Sequence, residues 1–159
     1  MGLDMYMKQR MYVSPFNFDV GQRARRITVN VTTEYENGCR DHKEFSTKDY
    51  PQSGVYVDIP IAYWRKANHI HKWFVDNCAN GEDDCKPVYV SREKIKELLD
   101  TCKAVLDDHS KAKDLLPTTD GFFFGCTDYD EWYYLELENT IKMLSDLSDD
   151  GEIYYEASW

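Results

Sequence analysis

Two stretches of this sequence crowd together side chains able to do chemistry. The first is Tyr63-Trp64-Arg65-Lys66-Ala67-Asn68-His69-Ile70-His71-Lys72-Trp73. Helical spacing puts Trp64, Asn68 and His71 at i, i+4 and i+7, on one flank beside an apolar stripe. A polar side chain on such a flank needs a partner. The flank is either the lining of a binding site or a tie between the helix and neighbouring backbone. Arg65, His69 and Lys72 fall on the outer flank, where a cationic patch beside Trp64 and Trp73 suits a phosphate or an acidic partner, and equally suits a plain solvated face. His69 and His71 are two residues apart and point about 200° away from each other on a helix, so they do not chelate one ion together.

The second stretch, Gly121 to Trp132, holds three phenylalanines and two glycines with Asp128, Asp130, Glu131 and Trp132. Paired carboxylates beside aromatics serve acid/base chemistry or hold a divalent cation. Asp128 and Asp130 also stand where a helix N-terminus welcomes acids as caps. Trp64, Arg65, Asn68, His71, Asp128, Asp130 and Trp132 are therefore the candidate binding residues. No catalytic residue, metal ligand or cofactor is assigned. Gly81-Glu82-Asp83-Asp84 reads as an acidic turn, because Cys85-Lys86-Pro87 interrupts the alternating oxygen ligands of a calcium loop. Dinucleotide, phosphate-loop, nucleophile-elbow and zinc-protease motifs are absent. The five cysteines are widely spaced, the nearest pair being Cys78 and Cys85, so the sequence predicts reduced thiols and no zinc site.

The elements that must position these groups are legible from periodicity. Leu3, Met5 and Met7 alternate with polar residues as in a half-buried strand. Ile27, Val29 and Val31 predict a second strand. Tyr35 to Ser53, with Asn37-Gly38 and Pro51, reads as a hairpin turn or long loop before a third strand at Val55, Val57 and Ile59. Pro60 is expected to close that strand and a helix to run from about Ala62 to Cys78, with Tyr63, Ala67, Ile70, Phe74 and Cys78 facing the core. Val88 and Val90 allow a short strand. Ser91 caps a helix carrying Ile95, Leu98, Leu99, Cys102, Val105 and Leu106 inward. Gly121 to Gly125 fits a buried strand or tight loop. Thr127-Asp128-Tyr129-Asp130 has the spacing of a capping box, and the helix it opens continues through Leu137, Ile141 and Leu144 to about Asp149. Ile153-Tyr154-Tyr155 predicts a last strand. This order predicts one α+β domain spanning residues 1–159, a mostly antiparallel sheet of four to five strands packed against three helices.

The 159 residues carry a net charge of −10, unevenly spread. Residues 1–66 hold ten Lys/Arg and eight Asp/Glu, whereas from Asp114 onward there are twelve acids and one base, Lys142. Such a half repels a phosphate backbone over a Debye length of about 8 to 10 Å, so no direct nucleic-acid binding is expected. A basic protein surface is the natural match. No run approaches the ~20 apolar residues of a bilayer span and no secretion signal opens the chain, so a cytoplasmic location and no membrane partner are expected.

Met1-Gly2-Leu3-Asp4-Met5-Tyr6, the run Tyr63 to Val75, Leu115-Leu116-Pro117-Thr118, Gly121 to Tyr133 and the closing Ser158-Trp159 together resemble a family of small tailed-bacteriophage proteins. The resemblance covers nearly the whole chain except Ser14 to Gly54. It implies a phage gene expressed in the cytoplasm of a host bacterium, and brings no activity or site residue with it. The leading expectation is a non-catalytic accessory protein that binds a host or anti-phage-defence component through its acidic half. One alternative is a nucleotide or small-molecule binder using Trp64, Arg65, Asn68, His71 and Trp132. Another is a small hydrolase using Asp128, Asp130 or His71.

Overall fold

Alternation at the start of the chain becomes a strand, β1 (Asp4–Val13), with Met5, Met7 and Gln9 buried behind Leu3. The structure, a computed structural model, describes residues 2–159. Short strands β2 (Phe16–Asn17) and β3 (Gln22–Arg23) follow, then β4 (Thr28–Glu34), β5 (Arg40–Ser46) and the long β6 (Val55–Arg65). Helix α1 (Asn68–Cys78) leads to β7 (Val88–Val90) and α2 (Arg92–Asp107). A 3-10 turn at His109–Lys111 passes into the short α3 (Ala112–Leu115). Last come α4 (Glu131–Leu144) and β8 (Glu152–Ser158).

The fold is α+β, with a four-stranded antiparallel sheet in the order β6-β1-β8-β7. C-terminal β8 sits inside the sheet, its register setting Met5 opposite Ala157, Met7 opposite Tyr155 and Gln9 opposite Ile153, while Val90 of β7 also faces Ile153. All of these side chains are buried and all but Gln9 are apolar, so this face of the sheet carries the helices. Ile70 and Phe74 of α1, Leu98, Cys102 and Val105 of α2, and Leu137 and Leu144 of α4 complete that core. Phe74 stacks on Tyr155 with ring centroids 4.1 Å apart. Trp64 is fully buried, its Nε1 donating to Thr140 Oγ1 at 2.8 Å, which satisfies the indole inside an apolar core.

The chain divides into two units, one comprising the chain up to Arg10 with Asp58–Trp159, the other Met11–Val57. The second unit holds the pair β2 and β3 and the hairpin of β4 and β5, whose turn places Gly38 at φ +80°. Strand β5 is exposed at every residue, so Arg40–Ser46 carries no hydrophobic alternation for a sequence reading to detect.

Three sequence expectations are corrected. Pro60 does not end a strand, since β6 continues through it to Arg65. As the edge strand of the sheet, β6 has one side without ladder bonds, where the missing N–H of proline costs little. The first helix consequently starts at Asn68 instead of Ala62, and Tyr63 lies on the strand, half exposed, donating to Asp4 Oδ1 at 2.5 Å. The last helix starts at Glu131, with Asp130 as its N-cap instead of the end of a capping box, and stops at Leu144.

Candidate functional site

Strand β6 meets α1 at a single tight turn. Lys66 takes the left-handed conformation there, φ +59°, which residues other than Gly, Asn and Asp seldom adopt. Its N–H donates to Leu3 O at 2.8 Å, tying the turn to the start of the sheet. Ala67 is the N-cap of α1 and gives no side-chain cap, and no acid stands in the first turn. The positive end of the helix dipole is thus left without its usual compensation.

Asn68, the first residue of α1, is buried and holds the segment opposite. Its Nδ2 donates to Cys126 O at 2.8 Å and to Phe124 O at 3.3 Å, and its Oδ1 accepts from Thr119 N at 3.1 Å. One amide therefore clamps both legs of the loop between α3 and α4. Thr118 closes the loop above it, its Oγ1 donating to Thr127 O at 2.9 Å. Gly125 fits where only glycine can, at φ +98° and so close that a Cβ would lie 3.0 Å from Lys66 Cβ. Phe124 is buried beneath the loop, while Phe122 is 80% and Trp132 71% exposed.

Between the Lys66 turn and this loop lies a cleft of about 310 Å³. Arg65 and Lys66 line it together with Asp128, Asp130, Glu136, Trp132, Tyr133 and Cys126. Asp130 Oδ1 accepts from Tyr133 N at 3.1 Å as the α4 cap, and Cys126 Sγ donates to Asp128 Oδ2 at 3.0 Å. Partial burial raises the Glu136 carboxyl above its ordinary value. Burial likewise pushes up the Tyr133 phenol, whose hydroxyl donates to Leu116 O at 2.9 Å.

His69 also borders the cleft. It is 3% exposed, and burial pulls its pKa down to about 3, so the ring is neutral at ordinary pH. Its Nε2 is the buried side-chain nitrogen that finds no hydrogen-bond partner among the described residues. Sequence periodicity had placed His69 on a solvated outer flank with Arg65 and Lys72. That is corrected here, because Asn68, His69, Ile70 and His71 are buried in succession. The first turn of α1 is buried, with the loop and α4 packed against it. Lys72 remains near solvent, paired with Asp76 at 2.7 Å.

His71 belongs to a different arrangement. Its Nε2 lies 2.9 Å from Asp83 Oδ2 and its Nδ1 2.7 Å from Tyr155 OH, while Asp83 Oδ1 accepts from Trp159 Nε1 at 3.2 Å. A carboxylate only accepts, so Nε2 carries a proton, and the Nδ1 of a neutral ring accepts from the tyrosine. Burial holds the Tyr155 phenol well above its usual pKa, keeping that proton in place. The chain Tyr155, His71, Asp83, Trp159 fastens β8 and the end of the chain to the acidic turn before β7.

Of the seven residues suggested by sequence, Arg65, Asp128, Asp130 and Trp132 line the one cleft, while Trp64, Asn68 and His71 are buried with partners elsewhere. Asp128 and Asp130 do not assemble with His71. Lys66 and His69 stood outside those seven, His69 only as part of a cationic flank, and Glu136 was missed. The run of positive and polar side chains at 65–69 hinted at the first two, but nothing local marked Glu136. Among the described residues no group of three or more His, Cys, Asp or Glu converges to hold a metal ion, and no helix is long and apolar enough to cross a membrane. No family model, curated protein or solved structure matches the chain.

Proposed function

We propose that this is a non-catalytic phage accessory protein, acting in the host cytoplasm, that binds a host or defence component through a basic surface on that partner. The observation that carries the reading is the exposure of Phe122, on a loop fixed from below by the hydrogen bonds of Asn68, and of Trp132, in the first turn of α4. Large aromatics held open to solvent cost free energy in an isolated protein and are the side chains that anchor interfaces. Their surroundings select the partner's charge: Asp120, Asp128, Asp130 and Glu131 are all exposed around them. Of the twelve acids after residue 113, ten are exposed and only Glu136 and Glu156 are half-buried. A partner rich in Lys and Arg is drawn in by this field and then seats the aromatics.

The test is capture from host lysate by the wild-type protein and by the Phe122→Ser, Glu131→Lys double variant. The reading expects a partner with a basic face that the double variant captures much less well and that is released at about 1 M salt, where the Debye length shrinks to roughly 3 Å. A captured protein that binds the double variant equally, or that stays bound in high salt, overturns it.

A further inference from the structure

A second cleft, also of about 310 Å³, is lined by Val75 and Asp76 of α1, by Asp83, by residues 119–122 of the loop between α3 and α4, and by Trp159. Two of its aromatic side chains stand open to solvent, Phe122 at 80% and Trp159 at 48% exposure. Both are nevertheless attached to fixed points. Trp159 Nε1 donates to Asp83 Oδ1 at 3.2 Å, and the indole packs T-shaped against buried Phe124 with centroids 5.8 Å apart. Thr119 N, three residues before Phe122, donates to Asn68 Oδ1 at 3.1 Å. Walls placed in advance need little ordering when a guest enters, so more of the contact energy is kept as affinity.

Charge decides what the guest is. Among the described residues that line the cleft, Lys72 is the one Lys or Arg, and its ammonium is spent on Asp76 at 2.7 Å. Asp83 and Asp120 have no such counter-ion in the cleft. The groups that donate to Asp83, His71 Nε2 at 2.9 Å and Trp159 Nε1, are a neutral imidazole and an indole, so the carboxylate keeps its full charge. A carboxylate has about four acceptor sites, which leaves Asp83 room for further donors. Asp120 is exposed on the loop. Among the described residues no three His, Cys, Asp or Glu side chains gather closely enough to hold a metal ion, so the negative charge is spread along the cleft. Spread carboxylates beside exposed aromatic rings match a flat cation with several N–H donors. A guanidinium is such a group: it is weakly hydrated, stacks on aromatic rings and reaches separate acceptors, whereas an ammonium is compact and strongly hydrated.

We propose that this cleft takes one arginine side chain from the partner's basic surface, with the guanidinium reaching Asp83 and Asp120 and lying against the exposed rings of Trp159 and Phe122. The anchor rests on the reading above, a protein that binds a basic surface, and it names the side chain which that surface inserts. A volume of about 310 Å³ is at the small end of ligand pockets and accepts one side chain, not a folded segment. Phe122 then serves twice, as part of the wall of the cleft and as an exposed contact of its own. Arginine and the large aromatics are the side chains that most often dominate an interface.

The experiment is a nuclear magnetic resonance titration of the full ¹⁵N-labelled chain with the capped peptides acetyl-Gly-Xaa-Gly-amide, in which Xaa is arginine, lysine or citrulline. Citrulline keeps the shape of arginine and lacks its charge. The indole N–H of Trp159 reports from within the cleft. The arginine peptide should shift that signal and the amides of Asp120, Gly121 and Phe122 saturably, with a dissociation constant of about 10 mM or below. Lysine should bind at least about threefold more weakly and citrulline at least about tenfold more weakly. Asp120→Asn, an exposed and nearly isosteric change, should leave the rest of the spectrum in place and weaken the arginine peptide at least about threefold. Any of three results overturns the proposal: no saturable shift at Trp159 with the arginine peptide, citrulline binding as tightly as arginine, or Asp120→Asn binding as wild type does. A lysate partner captured through Phe122 and Glu131 while the arginine peptide leaves Trp159 unmoved sinks the anchor alone. Peptide binding with no captured partner sinks the partner reading alone.

Discussion

The imidazole of His69 lies with its centroid 4.3 Å from the ring of Tyr133, the two planes tilted by 41°, yet its Nε2 meets no polar atom among the described residues. The pair joins the first turn of α1 to the first turn of α4. It gives the protein a buried titratable group whose charge the fold refuses, bordering a cleft lined by both cations and carboxylates.

That refusal makes stability depend on acid. The pKa of His69 falls from 6.5 in the open chain to about 3 when buried, so between those values the unfolded chain binds the extra proton. The His69 contribution is complete above pH 6.5 and is lost as pH falls toward 3, with a slope approaching about 1.4 kcal/mol per pH unit. Urea unfolding at a series of pH values is expected to show this decline, and the decline is expected to flatten in His69→Phe. At neutral pH the same variant is expected to be as stable as wild type or more so, by about 1 kcal/mol, because an unsatisfied nitrogen is removed. An unchanged slope in the variant would mean that the acid response arises elsewhere.

Replacing Asn68 removes the clamp on both legs of the loop. Asn68→Ala leaves Thr119 N, Phe124 O and Cys126 O without their shared partner, and is expected to cost about 3 kcal/mol in denaturant unfolding. Hydrogen exchange should accelerate at residues 119–126 more than in β1 or β8. Uniform acceleration across the chain would indicate that Asn68 supports the core generally and not this loop.

Gly125→Ala is expected to destabilise by about 1–3 kcal/mol, since it combines a φ of +98° with a Cβ 3.0 Å from Lys66 Cβ. The double variant Gly125→Ala, Lys66→Gly should recover part of that loss, because the crowding atom on residue 66 is gone. Thermal melts of the two single variants and the double decide it; strict additivity would show that the two positions do not press on each other.

The short-range pattern of the sequence was enough for the α+β class and for most elements. Met5 and Met7 alternate as a half-buried strand must, Ser91 caps α2 through Lys94 N at 3.3 Å, and Leu98, Cys102 and Val105 recur at helical spacing on its buried face. Asn68 is also where sequence indicated a polar residue in need of a partner. Tertiary structure decided what local pattern could not encode. Whether Pro60 ended a strand depended on β6 being an edge, and which side of α1 faced solvent depended on a loop arriving from some fifty residues later to cover it. Helical periodicity reports one buried stripe, whereas His69 is buried by a second layer, and its missing partner became visible only when both layers were in place.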